Sequence, residues 1–330
     1  MNNQTANIFN STMVSSAISA ADELGFLNKL QAEKTIDISK FCEENNLHQP
    51  SVEAIVLALC CSDICQLNDN NQIIEQGALF PEVYNNKGYF LWLIRGYGYL
   101  LQNLASIAKN ENRTNNFINR DGKYIALAGR DYGEKFVDRY FEKLLEEFPY
   151  QVVADLGCGS GAKLINIAKK ATEVRGVGID INSGAVETAQ IAVNDAGLQT
   201  RIKILERDIS QLKNQSEFDE VDVVFSFFNG HDIWPRNKCL KFLQNLHLAF
   251  PNVKRFLLCD TYRSDTIPSE NVPIFTLGFE FTHGIMGQYI PSLTEWLELF
   301  VDFGWQCVEH REIGIPFSAI FDLRPNLAIN

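Results

Sequence analysis

The chain has 330 residues, a length that allows about two domains. An apolar fraction of 46% and a charged fraction of 21% are ordinary for a globular protein whose core needs no disulfide staples. The net charge of −12, with no long run of Lys or Arg, argues against nucleic acid as the main partner, because that binding is dominated by phosphate neutralisation.

No apolar run approaches the ~20 residues that a membrane span needs, so no membrane partner is expected. Met1-Asn2-Asn3-Gln4 carries neither the basic flank nor the apolar stretch of a signal peptide, and a cytoplasmic location is the expectation. Three of the eight cysteines, Cys60, Cys61 and Cys65, fall on one apolar, helix-like segment. No second cysteine pair or matching histidine pattern accompanies them, so they read as small core residues of a reducing compartment rather than a metal knuckle.

Residues 8–30 read as helical, and Asp37 or Ser39 can cap a following helix. A strongly apolar helix spans Ser51 to Cys61. A hairpin follows, from Ile64–Leu67 through Asn68-Asp69-Asn70-Asn71 to Ile73-Ile74. Helix, helix, hairpin is the order of a winged helix. The second helix, which would enter a DNA groove, has Glu53 and no Lys or Arg, so the segment reads as a packing or dimerisation module. Helical spacing continues over about 88–108 (Phe90, Leu93, Ile94, Tyr97, Leu101, Leu104). The polar stretch Asn110–Asn116 breaks it, and another helix is expected near Tyr132–Phe148.

From there strand and helix alternate. Strands are expected at Val152–Leu156, Val174–Asp180, Arg201–Glu206, Val221–Phe227 and Val253–Asp260, the pattern of a parallel, doubly wound α/β sheet. Ser292–Phe303 reads as a helix with a capping box, Ser292 and Glu295, before two strands at Trp305–Arg311 and Pro316–Leu323. The division is residues 1-130, a mostly helical unit, and residues 131-330, the sheet.

The first strand of the sheet ends in an acid and three alternate glycines: Asp155-Leu156-Gly157-Cys158-Gly159-Ser160-Gly161. Glycines at such a turn let backbone approach a ligand closely. The second strand ends at Asp180-Ile181, where an acid can take both ribose hydroxyls. After the third strand Asp208 can accept the adenine amino group and Ile209 can pack on the ring. A nicotinamide cofactor is the alternative, but its Gly-x-Gly-x-x-Gly is spaced differently and lies nearer a domain start. Each acid taken alone could be a helix cap; three consecutive strand ends are harder to explain so. After the fourth strand comes Gly230-His231-Asp232-Ile233-Trp234-Pro235. His231 there can be a general base, a metal ligand or a satisfied structural residue. A second histidine, His283, stands in an insertion after the fifth strand, where a lid over the substrate would fit.

Asp155 to Gly161 resembles motif I of the class I methyltransferases, which implies a Rossmann-like, seven-stranded sheet with a terminal antiparallel hairpin and S-adenosylmethionine as cofactor. Ile8-Phe9-Asn10-Ser11-Thr12, Asn110-Glu111-Asn112-Arg113-Thr114, Gly230–Arg236 and Phe275–Phe281 resemble, over nearly the whole chain, the 2-oxo acid C-methyltransferases that act on phenylpyruvate- or 2-ketoarginine-like substrates. That resemblance implies a homodimer, a winged-helix dimerisation region and a non-haem iron held by His231 and His283. It also implies Asp232 as the acid beside the first ligand, Arg120 on the substrate carboxylate and Trp92 as an aromatic pocket wall. Tyr97 departs from a small serine of the family pocket, and Arg95 has no family counterpart. Two other functions fit parts of the sequence. One is an O-methyltransferase of a small hydroxyl compound with His231 as base and no metal. The other is a ligand-sensing regulator using the helical unit on DNA, which the acidic charge disfavours.

Overall fold

A computed structural model describes residues 4–68, 72–113, 120–265, 267–269, 271–302 and 304–326. The expected turn residues Asp69–Asn71, Thr114–Asn116 of the polar stretch and Phe303 lie outside the described residues. The chain forms two compact units, Met1–Lys135 and Phe136–Asn330.

The first unit contains helices α1 (Gln4–Glu23), α2 (Phe26–Glu33), α3 (Ile38–Glu44) and α4 (Gln49–Cys60), with strands β1 (Thr35–Asp37), β2 (Cys65–Leu67) and β3 (Ile73–Gln76). Both Asp37 and the hairpin behave as the residues suggest. The Asp37 side chain accepts from Lys40 N at 3.0 Å to cap α3, and β2 and β3 pair antiparallel. β1 adds to β3 on its other side, giving the order β1-β3-β2. Cys65 sits on β2, as the hairpin reading requires, and so does not share one helical segment with Cys60 and Cys61. Phe26, Leu27, Leu30, Phe41, Val56, Leu59 and Phe80 fill the core.

The helix expected over 88–108 begins earlier and is broken. α5 runs Phe80–Leu91, a π turn follows at Trp92–Gly96, then come α6 (Gly98–Gln102) and α7 (Leu104–Ile107). Pro81 in the first turn favours the earlier start, because Pro lacks only a hydrogen that an N-terminal turn leaves unbonded anyway. Gly96 and Gly98, flanking Tyr97, weaken the ladder where it breaks. α8 (Gly122–Phe136) and α9 (Asp138–Glu146) replace the single helix expected near 132–148, with the break at Val137.

The second unit is built on β4 (Val152–Leu156), α10 (Ala162–Lys170), β5 (Arg175–Asp180), α11 (Ser183–Asp195), β6 (Ile202–Glu206), β7 (Val223–Phe227), α12 (Arg236–Ala249) and β8 (Arg255–Thr261). α13 (Thr276–Met286), α14 (Leu293–Asp302), β9 (Trp305–Glu312) and β10 (Ser318–Pro325) complete it. The sheet order is β6-β5-β4-β7-β8-β10-β9; β4 to β8 pair parallel, and β10 pairs antiparallel with β8 and β9. This is the Rossmann-like sheet with a terminal hairpin that the strand grammar implies.

β4 and β8 are buried along their whole lengths, as parallel strands covered on both faces must be. The strand order reverses between β4 and β7, and the crevice at that switch point is where open α/β sheets bind ligands. The capping box of α14 is present: Ser292 N donates to Glu295 Oε2 at 2.8 Å, and Glu295 N donates to Ser292 Oγ at 3.2 Å. Among the described residues no helix is long and apolar enough to cross a membrane.

Candidate active site

The glycine loop turns sharply from β4 into α10 because Gly157, Gly159 and Gly161 all take left-handed angles, with φ of 79°, 52° and 72°. Gly157 is constrained further: a Cβ there would meet Asn229 Nδ2 at 2.3 Å. The turn is laced to β5, since Gly157 N and Cys158 N donate to Ile179 O at 2.7 and 3.0 Å. Asp180 Oδ2 accepts from Gly159 N at 2.9 Å, and its Oδ1 accepts from Asn182 N at 2.9 Å. The acid expected at the ribose thus also holds the loop in shape. A carboxylate has lone pairs enough for both tasks.

Asp208 begins the next strand end as a cap, accepting from Ser210 N at 2.8 Å, and Ile209 packs partly into the core. Ile181 is 67% exposed, an apolar side chain left open beside Asp180. Asp155 is buried beneath the loop. Burial pushes its carboxyl up to about 7; nearby Lys163 opposes the shift and Asp180 adds to it.

The second half of the site forms where β7 ends. Phe228 takes a left-handed φ of 54°, and Gly230 leads into a 3₁₀ turn at His231–Ile233. Only glycine fits at 230, because a Cβ would meet Asp260 Oδ2 at 2.6 Å and the Trp296 ring at 3.0 Å. Asp260, fully buried on β8, accepts twice from one residue: His231 N at 3.0 Å to Oδ2 and His231 Nδ1 at 2.7 Å to Oδ1. A carboxylate accepts only, so a neutral His231 carries its hydrogen on Nδ1 and its lone pair on Nε2.

His283 arrives from α13 in the same tautomer. Its Nδ1 donates to Phe279 O at 2.7 Å, one helical turn back. The two imidazoles meet edge to face, with centroids 4.9 Å apart, and Phe279 packs on both. Asp232 completes the group: ligand atoms of His231, Asp232 and His283 all lie within 4.8 Å of one another. Asp232 Oδ1 is 3.8 Å from His231 Nε2 and accepts from Gln288 Nε2 at 2.7 Å.

Two imidazole nitrogens and one carboxylate oxygen, each held by a further hydrogen bond, make a donor set that suits a divalent transition metal such as iron. The clustered cysteines form no comparable group among the described residues, and burial pushes the Cys65 thiol up to about 12. Asp260 and Gln288 are site residues beyond those expected from sequence. An acid ending the fifth strand could have flagged Asp260, by analogy with Asp155 and Asp180. Gln288 carries no sequence signal.

Trp92 and Arg120 belong to the N-terminal unit. Trp92 opens the π turn, buried against Tyr97 with ring centroids 4.6 Å apart; Arg120 lies two residues before α8. Arg95 donates to Tyr124 Oη at 2.6 Å.

A Rossmann-like sheet ordered in this way, with a glycine loop at its switch point and acids closing the next two strands, defines a class I methyltransferase that uses S-adenosylmethionine. The family described as "Methyltransferase domain" matches residues 153–249. Methyltransferase ungE' of Aspergillus campestris is 36% identical over 332 residues, covering 96% of each chain, and the chain belongs to this methyltransferase family. Indolepyruvate C-methyltransferase of Streptomyces griseus is 26% identical, over 95% of this chain and 92% of its own. The mitomycin 7-O-methyltransferase MmcR has the same fold, with a TM-score of 0.67 and 18% identity over 98% of this chain and 97% of its own.

Proposed function

We propose that this methyltransferase transfers the methyl group to C3 of an amino-acid-derived 2-oxo acid, phenylpyruvate-like or 2-ketoarginine-like, at a metal held by His231, His283 and Asp232. The observation that carries this reading is the meeting of two imidazoles and a carboxylate, with ligand atoms within 4.8 Å of one another, beside the switch point. A base alone would need one histidine. The similarity to indolepyruvate C-methyltransferase supports an oxo acid as acceptor.

When bound, the metal supplies Lewis acidity that makes the C3 proton of a 2-oxo acid easier to remove. S-adenosylmethionine supplies an electrophilic methyl group. The chain's part is to hold and orient. Asp260 and the Phe279 carbonyl hold both imidazoles through Nδ1, which leaves each Nε2 as the donor atom for a metal. Asp232 contributes an oxygen donor, and its role is to orient a metal-bound water or to take the C3 proton. Gly157, Gly159 and Gly161 give the cofactor close access to backbone, Asp180 takes the ribose hydroxyls, and Ile181, Asp208 and Ile209 bound the adenine. Asp155 faces the amino-acid end of the cofactor. Arg120 pairs with the substrate carboxylate, and Trp92 walls the side-chain pocket.

The N-terminal unit, with helix, helix and hairpin in winged-helix order and exposed Ile8, Phe9 and Met13 on α1, serves homodimerisation. The protein works in the cytoplasm.

A second reading has a specific observation behind it. His231 Nδ1 lies 2.7 Å from buried Asp260, the pairing of a general base with the carboxylate that stabilises its charged form. An O-methyltransferase of a small hydroxyl compound would use that pair without metal, and MmcR, of the same fold, is an O-methyltransferase. Metal content separates the two readings. Purified protein that holds stoichiometric iron, loses it in His231→Ala/His283→Ala and methylates carbon supports the first. Metal-free protein that methylates oxygen and is indifferent to chelator supports the second.

A further inference from the structure

Gln288 lies just past the end of α13, and its place is set by a helix-termination motif. Gly287 takes a left-handed φ of 74°, its N–H donates to Gly284 O at 3.0 Å, and Gln288 N donates to His283 O at 2.9 Å. This is the Schellman closure, whose last bond runs back five residues. The closure ties the backbone of Gln288 directly to that of His283. The Gln288 side chain then reaches a different segment, donating from Nε2 to Asp232 Oδ1 at 2.7 Å. A carboxylate offers no hydrogen, so the amide must face it with its NH₂ group. The bonded oxygen is the same Oδ1 that stands 3.8 Å from His231 Nε2.

The other end of the amide supports a dedicated role. Gln288 Oε1 is buried and has no hydrogen-bond partner among the described residues. A buried acceptor left unsatisfied is costly, and an amide free to choose would turn toward water. One strong bond to Asp232 is kept at that cost.

We infer that Gln288 is a positioning residue of the cluster, fixing Asp232 Oδ1 toward the two histidines and coupling the end of α13 to the turn at His231–Ile233. The inference rests on the metal reading of the site. Gln288 is not itself a catalytic residue; it acts through Asp232. Its bond has a functional consequence because a carboxylate on a short turn must otherwise give up side-chain freedom each time a metal binds. Partners of metal ligands commonly contribute 10–100-fold to metal affinity.

The test is Co(II) and anaerobic Fe(II) binding to the full-length protein by calorimetry, with the visible Co(II) spectrum reporting coordination directly. Gln288→Leu is expected to weaken both metals by about 10–100-fold and to alter the Co(II) spectrum. In an Asp232→Ala background Gln288→Leu is expected to cost nothing further, because two residues acting through one contact are not additive. Gln288→Met, closer in shape, carries the same test if the Leu variant unfolds, with thermal melting as the control. Wild-type protein that binds neither metal overturns the reading on which the inference rests. Wild-type binding with an unchanged constant and spectrum in both variants overturns the positioning role alone, as does full additivity with Asp232→Ala.

Discussion

The two halves of the site are made in different ways. The cofactor half is one stretch of chain: five residues from Gly157 to Gly161 carry three left-handed angles, and the neighbouring strand ties the turn down through Ile179 and Asp180. The acceptor half is assembled from three places far apart in sequence: the turn at His231 and Asp232, Asp260 on β8, and the end of α13 with His283 and Gln288. The first depends on backbone conformation, the second on who holds each side chain. Damage should therefore differ in kind. Changes in the glycine loop disturb the fold of the turn, whereas changes in the cluster leave the fold and remove the chemistry.

The largest expected effect is in the cluster. His231→Ala/His283→Ala should abolish metal retention, seen by elemental analysis, and lower C-methylation by at least about 10³-fold with little change in melting temperature. Retained metal would break the comparison at its centre. Asp260→Asn comes next. It leaves the imidazole without its buried carboxylate, and a 10–100-fold weaker metal affinity is expected.

Two glycines sharpen the other half. Gly157→Ala meets both a left-handed angle and the Asn229 amide, while nothing lies within 4 Å of a Cβ at Gly159. Gly157→Ala should thus cost roughly 2–4 kcal/mol in denaturant melts and Gly159→Ala about 1 kcal/mol. Equal costs would show that the amide contact has no weight.

The last effect is a pH dependence at Asp155, spread over about three pH units. With its folded-state carboxyl at about 7, the unfolded chain ionises above about pH 4 while the folded chain keeps its proton. The folded state binds more protons in that window, so cofactor-free protein should lose stability as pH rises from about 4 to about 7, by a few kcal/mol at most. Melting of Asp155→Asn across that range should show a flatter profile.

Much of this was legible in the sequence, for reasons that differ by region. Val152–Leu156 reads as a buried strand and is one, since a fully covered parallel strand must be continuously apolar. Ser292 and Glu295 announce their helix because a capping box is local chemistry. The helical run over 88–108 misled because periodicity records which face is buried but not where a glycine pair interrupts the ladder. The residues alone leave His231 open between base, ligand and structural residue, and only the resemblance pairs it with His283; its role depends on Asp260 and His283, which no spacing connects to it. Gln288 was invisible for the same reason: an amide gains its meaning only from the carboxylate it touches.

The central claim is tested most directly by one incubation. Full-length protein with measured iron content is given methyl-labelled S-adenosylmethionine and a panel of 2-oxo acids, with and without chelator, and the products are located by mass spectrometry and carbon NMR. The expected result is label on C3 of an oxo acid, lost with chelator and restored by iron. Label on oxygen, at an undiminished rate in chelator, would contradict the account.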